Sequence, residues 1–259
     1  MKIVKADLPS ELETLEIHTF ADEHIGDKFC DMKDIQRRID YVKNTPNAYC
    51  VLNGDLLNNA TRGSVSDIFS DTLTPMQQVD RGMELFAPIK DKVLAVTSGN
   101  HELRTYKNEG IDLSYIMARE MRIEDKFGSE GVLLYVRFGL LNSRRSAGRK
   151  IQYKVYMTHG SGGGRRVGAK ANRLEEMANK VDADLYIHSH THTPLVFPDR
   201  FFRTYEASFG GEWVERYFVN VGAALDYGGY GERAEYKPAS KQKPVIFLDG
   251  HKKGIKVQI

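Results

Sequence analysis

Apolar positions along this chain fall into short runs that break off on polar residues. The stretch "ETLEIHTFADEH" alternates like a strand and stops at Asp22, and "AYCVLNGDLLN" runs through Val51 and Leu52 into Asn53, Gly54 and Asp55. "DKVLAVTSGNHE" passes from Val93–Val96 into Gly99, Asn100 and His101. "YKVYMTHGSGGG" ends at His159 and a glycine cluster, and "DADLYIHSHTH" ends in a run of histidines. Between these segments the spacing predicts helices over Met32–Lys43, Thr74–Ala87, Leu113–Met121 and Lys170–Val181, the last with small or apolar residues at Ala171, Leu174, Met177, Ala178 and Val181. The first three strands alternate with helices, as in βαβ units, whereas the later part is richer in strands, such as Val132–Phe138 and Arg216–Val221. "PVIFLDGHKKGIKVQI" reads as a closing hairpin. With no internal repeat, low-complexity tract or long linker, one α/β domain over residues 1–259 is expected.

Composition narrows the class without choosing a function. Hydrophobic residues make up 41% and charged residues 28%, the balance of an ordinary globular protein. No window approaches the roughly 18 consecutive apolar residues of a membrane span, and the first twenty residues lack the apolar core of a secretion signal. Two cysteines, Cys30 and Cys50, provide no disulfide framework, so a reduced, cytoplasmic setting is expected. Lys and Arg number 37 against 35 acids, a net charge of +2 that neither demands nor excludes nucleic acid. The basic run "NSRRSAGRK" (142–150) reads as a solvated hairpin loop.

Chemistry concentrates where the strands end. In "YIHSHTHTP" a histidine stands at every second position (His188, His190, His192), so an extended backbone would crowd three imidazoles onto one face. Five strand ends together offer Asp22, His24, Asp55, Asn100, His159, His190 and His192, with His101 adjacent. Ligands of α/β sheets gather at such carboxyl ends. Oxygen and imidazole donors without a thiolate suit a hard or borderline divalent ion such as manganese, iron or zinc. Seven donors exceed what one ion can use while leaving room for substrate, whereas two ions sharing one carboxylate can use them all.

The ordered blocks "DEH" (22–24), "GDLLN" (54–58), "GNHE" (99–102), "HG" (159–160) and "HTH" (190–192) resemble the calcineurin-like metallophosphoesterase superfamily. The resemblance covers roughly residues 15 to 195 and leaves the last quarter less constrained. It implies an α/β/β/α sandwich of four layers and hydrolysis of a phosphomonoester or phosphodiester at two divalent metals, manganese foremost. Asp22, His24 and His192 would hold the first metal, Asp55 would bridge, and Asn100, His159 and His190 would hold the second. A water or hydroxide shared by the metals would be the nucleophile. His101 would protonate the leaving group or stabilise its charge, and Glu102 would fix loop geometry or orient His101. Two positions depart from the family pattern. Ser189 stands where a glycine is usual, and Asn58, where many members have Asp, reads as a supporting group.

Other residues admit plainer readings. His18 and His188 read as packed histidines, and "DGH" at 249–251 reads as a turn. Arg165 and Arg166, in the glycine-rich segment 160–170, could pair a substrate phosphate or be solvated. Residues 224–236 could stack on a base or form a plain surface loop. Three functions fit the sequence: a phosphatase or phosphodiesterase acting on a nucleotide or other small molecule, a nuclease similar to the DNA-repair enzymes of the superfamily, and a non-catalytic scaffold like the retromer subunit of this fold. The intact donor set favours catalysis. The chain's length argues against the extra capping domain of the nucleases. The oligomeric state is not legible.

Overall fold

A computed structural model describes residues 1–64, 68–142, 148–205 and 209–259. In chain order the described elements are β1 (Lys2–Asp7), β2 (Thr14–Phe20), α1 (Met32–Asn44), β3 (Ala48–Asn53), α2 (Pro75–Phe86), β4 (Val93–Thr97), α3 (Glu102–Glu109), α4 (Leu113–Glu120), β5 (Val132–Phe138), β6 (Ile151–Met157), α5 (Val167–Ala178), β7 (Leu185–His188), β8 (Leu195–Tyr205), β9 (Gly210–Asn220), α6 (Gly229–Arg233), β10 (Val245–Asp249) and β11 (Ile255–Gln258). They build two sheets, one ordered β1-β5-β6-β7-β9-β8 and the other β11-β10-β2-β3-β4. The mixed α/β class expected from the pattern is what the chain adopts.

Strand composition explains the packing. Alternate residues of a strand face opposite ways, so a strand covered on both faces must be apolar at every position. In β3, Val51 enters the cluster between the sheets, whereas Cys50 and Leu52 enter the cluster shared with α1, α2 and α4. The first cluster joins Leu15, Ile17 and Ile246 of one sheet to Leu134, Val155, Leu185 and Val219 of the other. A third, smaller cluster sets Leu174 and Met177 of α5 against Tyr186 and Phe218. Each fully buried side chain of this size contributes roughly 1.5–3 kcal/mol, which ties the strand ends to a rigid base.

Helix starts carry the expected chemistry. Asp31 caps α1 by accepting from the Asp34 amide, and Thr74 with Gln77 forms a capping box on α2, with Pro75 in its first turn. Three features were not legible in the pattern. Helix α3 is polar and buries only Glu102, so it shows no apolar stripe. Strands β8 and β9 form one long hairpin that reaches well before the expected Arg216, because its outer part is largely exposed and mixed in polarity. Helix α5 runs from Val167 to Ala178, displaced toward the N-terminus from the expected Lys170–Val181.

The hairpin of β10 and β11 is as expected, and Asp249 closes its turn by accepting from the amides of His251 and Lys252 at 2.7 and 3.2 Å. Residues 143–147 of the basic run lie outside the described residues. Among the described residues no helix is long and apolar enough to cross a membrane.

For the site, the parallel pairings matter most. Strands β2, β3 and β4 run parallel in one sheet, and β6 and β7 run parallel in the other. Hydrogen bonds from Asn53 join the two sets at their carboxyl ends. Its amide donates to the Thr158 carbonyl at 3.0 Å and to Ser189 Oγ at 2.8 Å, and its Oδ1 accepts from Thr97.

Candidate metal centre

The backbone of the site is unusual before any side chain is considered. Asp22, His24, Asp55, His190 and His192 all have left-handed dihedrals, with φ of 52°, 51°, 48°, 65° and 54°. Outside glycine this region costs about 1–2 kcal/mol per residue, least for Asp, Asn and His, and such strain gathers at functional sites. Specific hydrogen bonds hold it. The amides of Asp22 and His24 donate to the carbonyls of Gly54 and Asp55, both at 3.1 Å. The His190 amide donates to Asp22 Oδ2 at 2.9 Å, and the His101 amide to Asp55 Oδ1 at 2.8 Å. The buried Glu102 carboxylate accepts from the amides of Asp55, Leu57 and Gly99 at 2.9–3.0 Å, so one side chain ties the end of β3 to the end of β4. It touches these loops, not the His101 ring. Gly99 leaves no alternative residue, because a Cβ there would lie 2.1 Å from the Asp55 amide nitrogen and from its Oδ1.

All seven expected donors converge. Ligand atoms of Asp22, His24 and His192 lie within 4.8 Å of one another, as do those of Asp55, His159 and His190, and those of His24, Asp55 and His101. The Nε2 atoms of His24 and His192 face each other at 3.2 Å. His159 Nε2 is 3.2 Å from Asp55 Oδ2 and 3.1 Å from Asn100 Oδ1, which is also 2.6 Å from His190 Nδ1. His192 Nε2 lies 3.4 Å from Asp22 Oδ1.

Protonation follows from this crowding. Burial raises the Asp22 carboxyl, but His192 and His159 outweigh it and bring the group to about 2. Burial likewise works against Asp55, yet His159 and His101 hold it well below the carboxylate range. His159 is pushed the other way, to about 10, because Asp55 and Asp22 overcome its burial. His24 falls well below its ordinary value through burial and then the neighbouring His101 and His192. Two ionised carboxylates therefore share a buried space with a protonated His159 and a neutral His24.

This donor set fits divalent cations. Asp22 Oδ1 and His24 Nδ1 are buried without a hydrogen-bond partner, the pattern expected of groups whose polar partner is an ion. Oxygen and imidazole donors around two carboxylates match a hard or borderline metal. Asp55, between the His24 and His159 groups, is the one carboxylate common to two of the three clusters.

Around this nucleus lie supporting residues, of which the sequence did not single out Arg104 and Lys170. His101 Nδ1 is 2.6 Å from the carbonyl oxygen of Asn58, while the Asn58 amide donates to Asp71 Oδ1 at 2.6 Å. Asn58 thus touches His101 through its backbone, which no side-chain motif reveals. Arg104 on α3 places Nη2 2.9 Å from His101 Nε2. Lys170 on α5 donates to the Thr191 carbonyl at 3.0 Å and to Thr193 Oγ1, tying down the loop that carries His190 and His192. Ser189, in place of glycine, is buried and spends its hydroxyl on Asn53. His188 is a packed histidine, its Nδ1 2.8 Å from Asn220 Oδ1. His18 is likewise packed, against Glu16 and Tyr41.

Arg165 and Arg166 sit apart from this cluster in their contacts. Arg165 donates to the carbonyls of Ala234 and Glu235 at 3.0 and 3.4 Å and lies over the Tyr236 ring. Arg166 is exposed at the start of α5. The segment 224–236 contains α6 and is closed on itself by the Tyr227 hydroxyl, which donates to the Tyr236 carbonyl at 3.0 Å.

The family described as calcineurin-like phosphoesterase matches residues 17–194. Among curated proteins none matches significantly. A conserved uncharacterized protein of Streptococcus pneumoniae, a predicted phosphoesterase, is 14% identical with a TM-score of 0.40, the alignment covering 95% of this chain and 90% of that one. A double mutant of Vps29 from Entamoeba histolytica is 12% identical with a TM-score of 0.43, covering 94% and 90%. The wild-type Vps29 of that organism, complexed with zinc, is 11% identical with a TM-score of 0.38, covering 94% and 97%.

Proposed function

The chain belongs to the calcineurin-like phosphoesterase family, and we propose that it is a phosphoester hydrolase working with two divalent metal ions, manganese foremost. The observation that carries this reading is the pair of buried orphan atoms, Asp22 Oδ1 and His24 Nδ1, inside a ring of strained Asp and His residues drawn from both sheets. Asp22, His24 and His192 would hold one ion, Asn100, His159 and His190 the other, and Asp55 would bridge them. Two such cations, when bound, strengthen water as a nucleophile at neutral pH and neutralise charge on the phosphoryl oxygens.

The chain's own residues do the rest. His101 lies beside the nucleus, its Nε2 3.7 Å from Asp55 Oδ2, with its ring held by the Asn58 carbonyl at Nδ1. Nε2 is the nitrogen that faces reactants, placed to give a proton to the leaving oxygen or to stabilise its charge. Glu102 keeps the β3 and β4 loops, and with them Asp55 and His101, in fixed register. Burial of Asp22, His24, Asp55 and His159 lowers the local dielectric and so strengthens the electrostatic contacts among them.

A substrate panel with added manganese tests the proposal: p-nitrophenyl phosphate, its bis-p-nitrophenyl diester, cyclic nucleotides, and single- and double-stranded DNA. Metal-dependent turnover of a small ester is expected. Turnover of DNA alone would move the reading to a nuclease, and metal binding without turnover of any member would move it to a scaffold.

A further inference from the structure

Arg104 is the cation of this site that the donor set leaves over. Its Nη1 donates to the carbonyls of Asn58 and Asn59 at 3.1 and 3.3 Å, and its Nη2 to His101 Nε2 at 2.9 Å. None of these partners is a carboxylate. Asp55, Glu102 and Asp71 act on it only through space. The side chain is half-buried, on the first turns of a helix whose start carries His101. A guanidinium is always charged and has donors only. A partly desolvated one that meets neutral acceptors lacks the anion that would use its planar fork, and phosphate oxygens are the best fit to that fork.

Its contact with His101 is informative as well. Since the guanidinium cannot accept, Nε2 must present its lone pair, which leaves the ring proton on Nδ1 facing the Asn58 carbonyl. The nitrogen that should face the reaction is therefore engaged by Arg104. An incoming phosphate offers the guanidinium a stronger, charged acceptor than a neutral imidazole, and the exchange leaves the Nε2 lone pair free to take up a proton from water and pass it to the leaving oxygen.

We propose that Arg104 binds the substrate's phosphoryl group, exchanging His101 Nε2 for non-bridging oxygens, and thereby favours phosphomonoesters over diesters. A monoester has three terminal oxygens and a second negative charge, so two oxygens remain for the fork after a metal takes one. A diester leaves only one. The proposal rests on the phosphoesterase reading, and its test separates the two.

Arg104→Ala and Arg104→Lys are compared with the parent, all loaded with manganese. Binding of inorganic phosphate is followed by calorimetry, metal content by elemental analysis, and kcat and KM for p-nitrophenyl phosphate and its diester by absorbance. Expected in Arg104→Ala are two metals per chain, phosphate affinity lower by ~10-fold or more, as loss of a charged hydrogen-bond pair gives, and a larger fall in kcat/KM for the monoester than for the diester. Arg104→Lys should recover part of the phosphate affinity. Unchanged phosphate affinity with a lower kcat would reduce Arg104 to a support for His101 and overturn the proposal, as would loss of metal or equal losses on both esters. If Arg104→Ala does not fold, Arg104→Gln keeps neutral donors for the Asn58 and Asn59 carbonyls and carries the same comparison. A parent chain that binds phosphate through Arg104 yet hydrolyses nothing would defeat the phosphoesterase reading and leave the binding role standing.

Discussion

His159 from one sheet and Asp55 from the other meet with Nε2 3.2 Å from Oδ2, a buried imidazole against a buried carboxylate. In the metal-free chain this pair is ionic, since Asp55 and Asp22 raise His159 to about 10 against the pull of its burial. A cation held by the same two side chains must displace that proton.

Stability should therefore respond to pH in a way that metal abolishes. The folded chain holds a proton on His159 that the unfolded chain releases near 6.5, so this contribution is complete below 6.5 and drains as pH rises through about 10. His24, His101 and His190, all lowered by burial, act oppositely, but only where the unfolded chain takes up protons, below about 6.5. Glu102, raised to about 7 by burial and then Asp55, acts in the same direction as His159 until it has ionised just above 7, and burial pushes the Cys30 and Cys50 thiols up to about 12, so they weigh in only above their ordinary 9.0. Between roughly 7 and 9 the metal-free Tm should fall with rising pH, while the manganese-loaded Tm should stay nearly level. Differential scanning fluorimetry reads both curves, and a metal-free Tm that climbs over that range would contradict the assignment.

Asp55→Ala should empty both metal positions, because one carboxylate faces the His24 group and the His159 group alike. The variant also strips an acceptor from the His101 amide, which costs about 1–3 kcal/mol of stability. Elemental analysis after gel filtration should find well under one metal per chain. Two full equivalents would rule out the bridging role.

His101→Ala makes the complementary case. Its ring touches the Asn58 carbonyl and Arg104, and its loss leaves Asp22, His24, Asp55, His159, His190 and His192 in place. Metal content should match the parent, while turnover falls by ~10²-fold or more through loss of proton transfer or charge stabilisation at the leaving oxygen. Metal loss parallel to the loss of activity would show that His101 is a ligand.

Gly99→Ala tests the strained scaffold. The added methyl would meet backbone nitrogen and a carboxylate oxygen of Asp55 at 2.1 Å, neither of which is the free end of a flexible chain. A stability loss of at least about 1–3 kcal/mol is expected, with weakened metal binding, whereas Gly168→Ala, a position with open space around it, should behave as the parent in the same chemical melt.

By itself the sequence determined the class of fold and the set of candidate donors. Hydrophobic period separates strand from helix wherever an element is buried on one face or two, which is why β2, β3, β4, β6 and β7 could be read, and why polar α3 and the exposed part of the β8–β9 hairpin could not. Donor type is a property of the residue alone, so Asp22, His24, Asp55, Asn100, His159, His190 and His192 were legible as a set. Only the tertiary structure decided which groups meet. Contacts made through backbone atoms, such as the Asn58 carbonyl on His101, leave no side-chain signature. Arg104 becomes part of the site because α3 winds it back over His101, three residues earlier, and Glu102 becomes a clamp because its carboxylate finds three amides on two loops. Distance and desolvation, which set protonation and the demand for a cation, arise when two sheets close over one buried space, and no linear pattern encodes them.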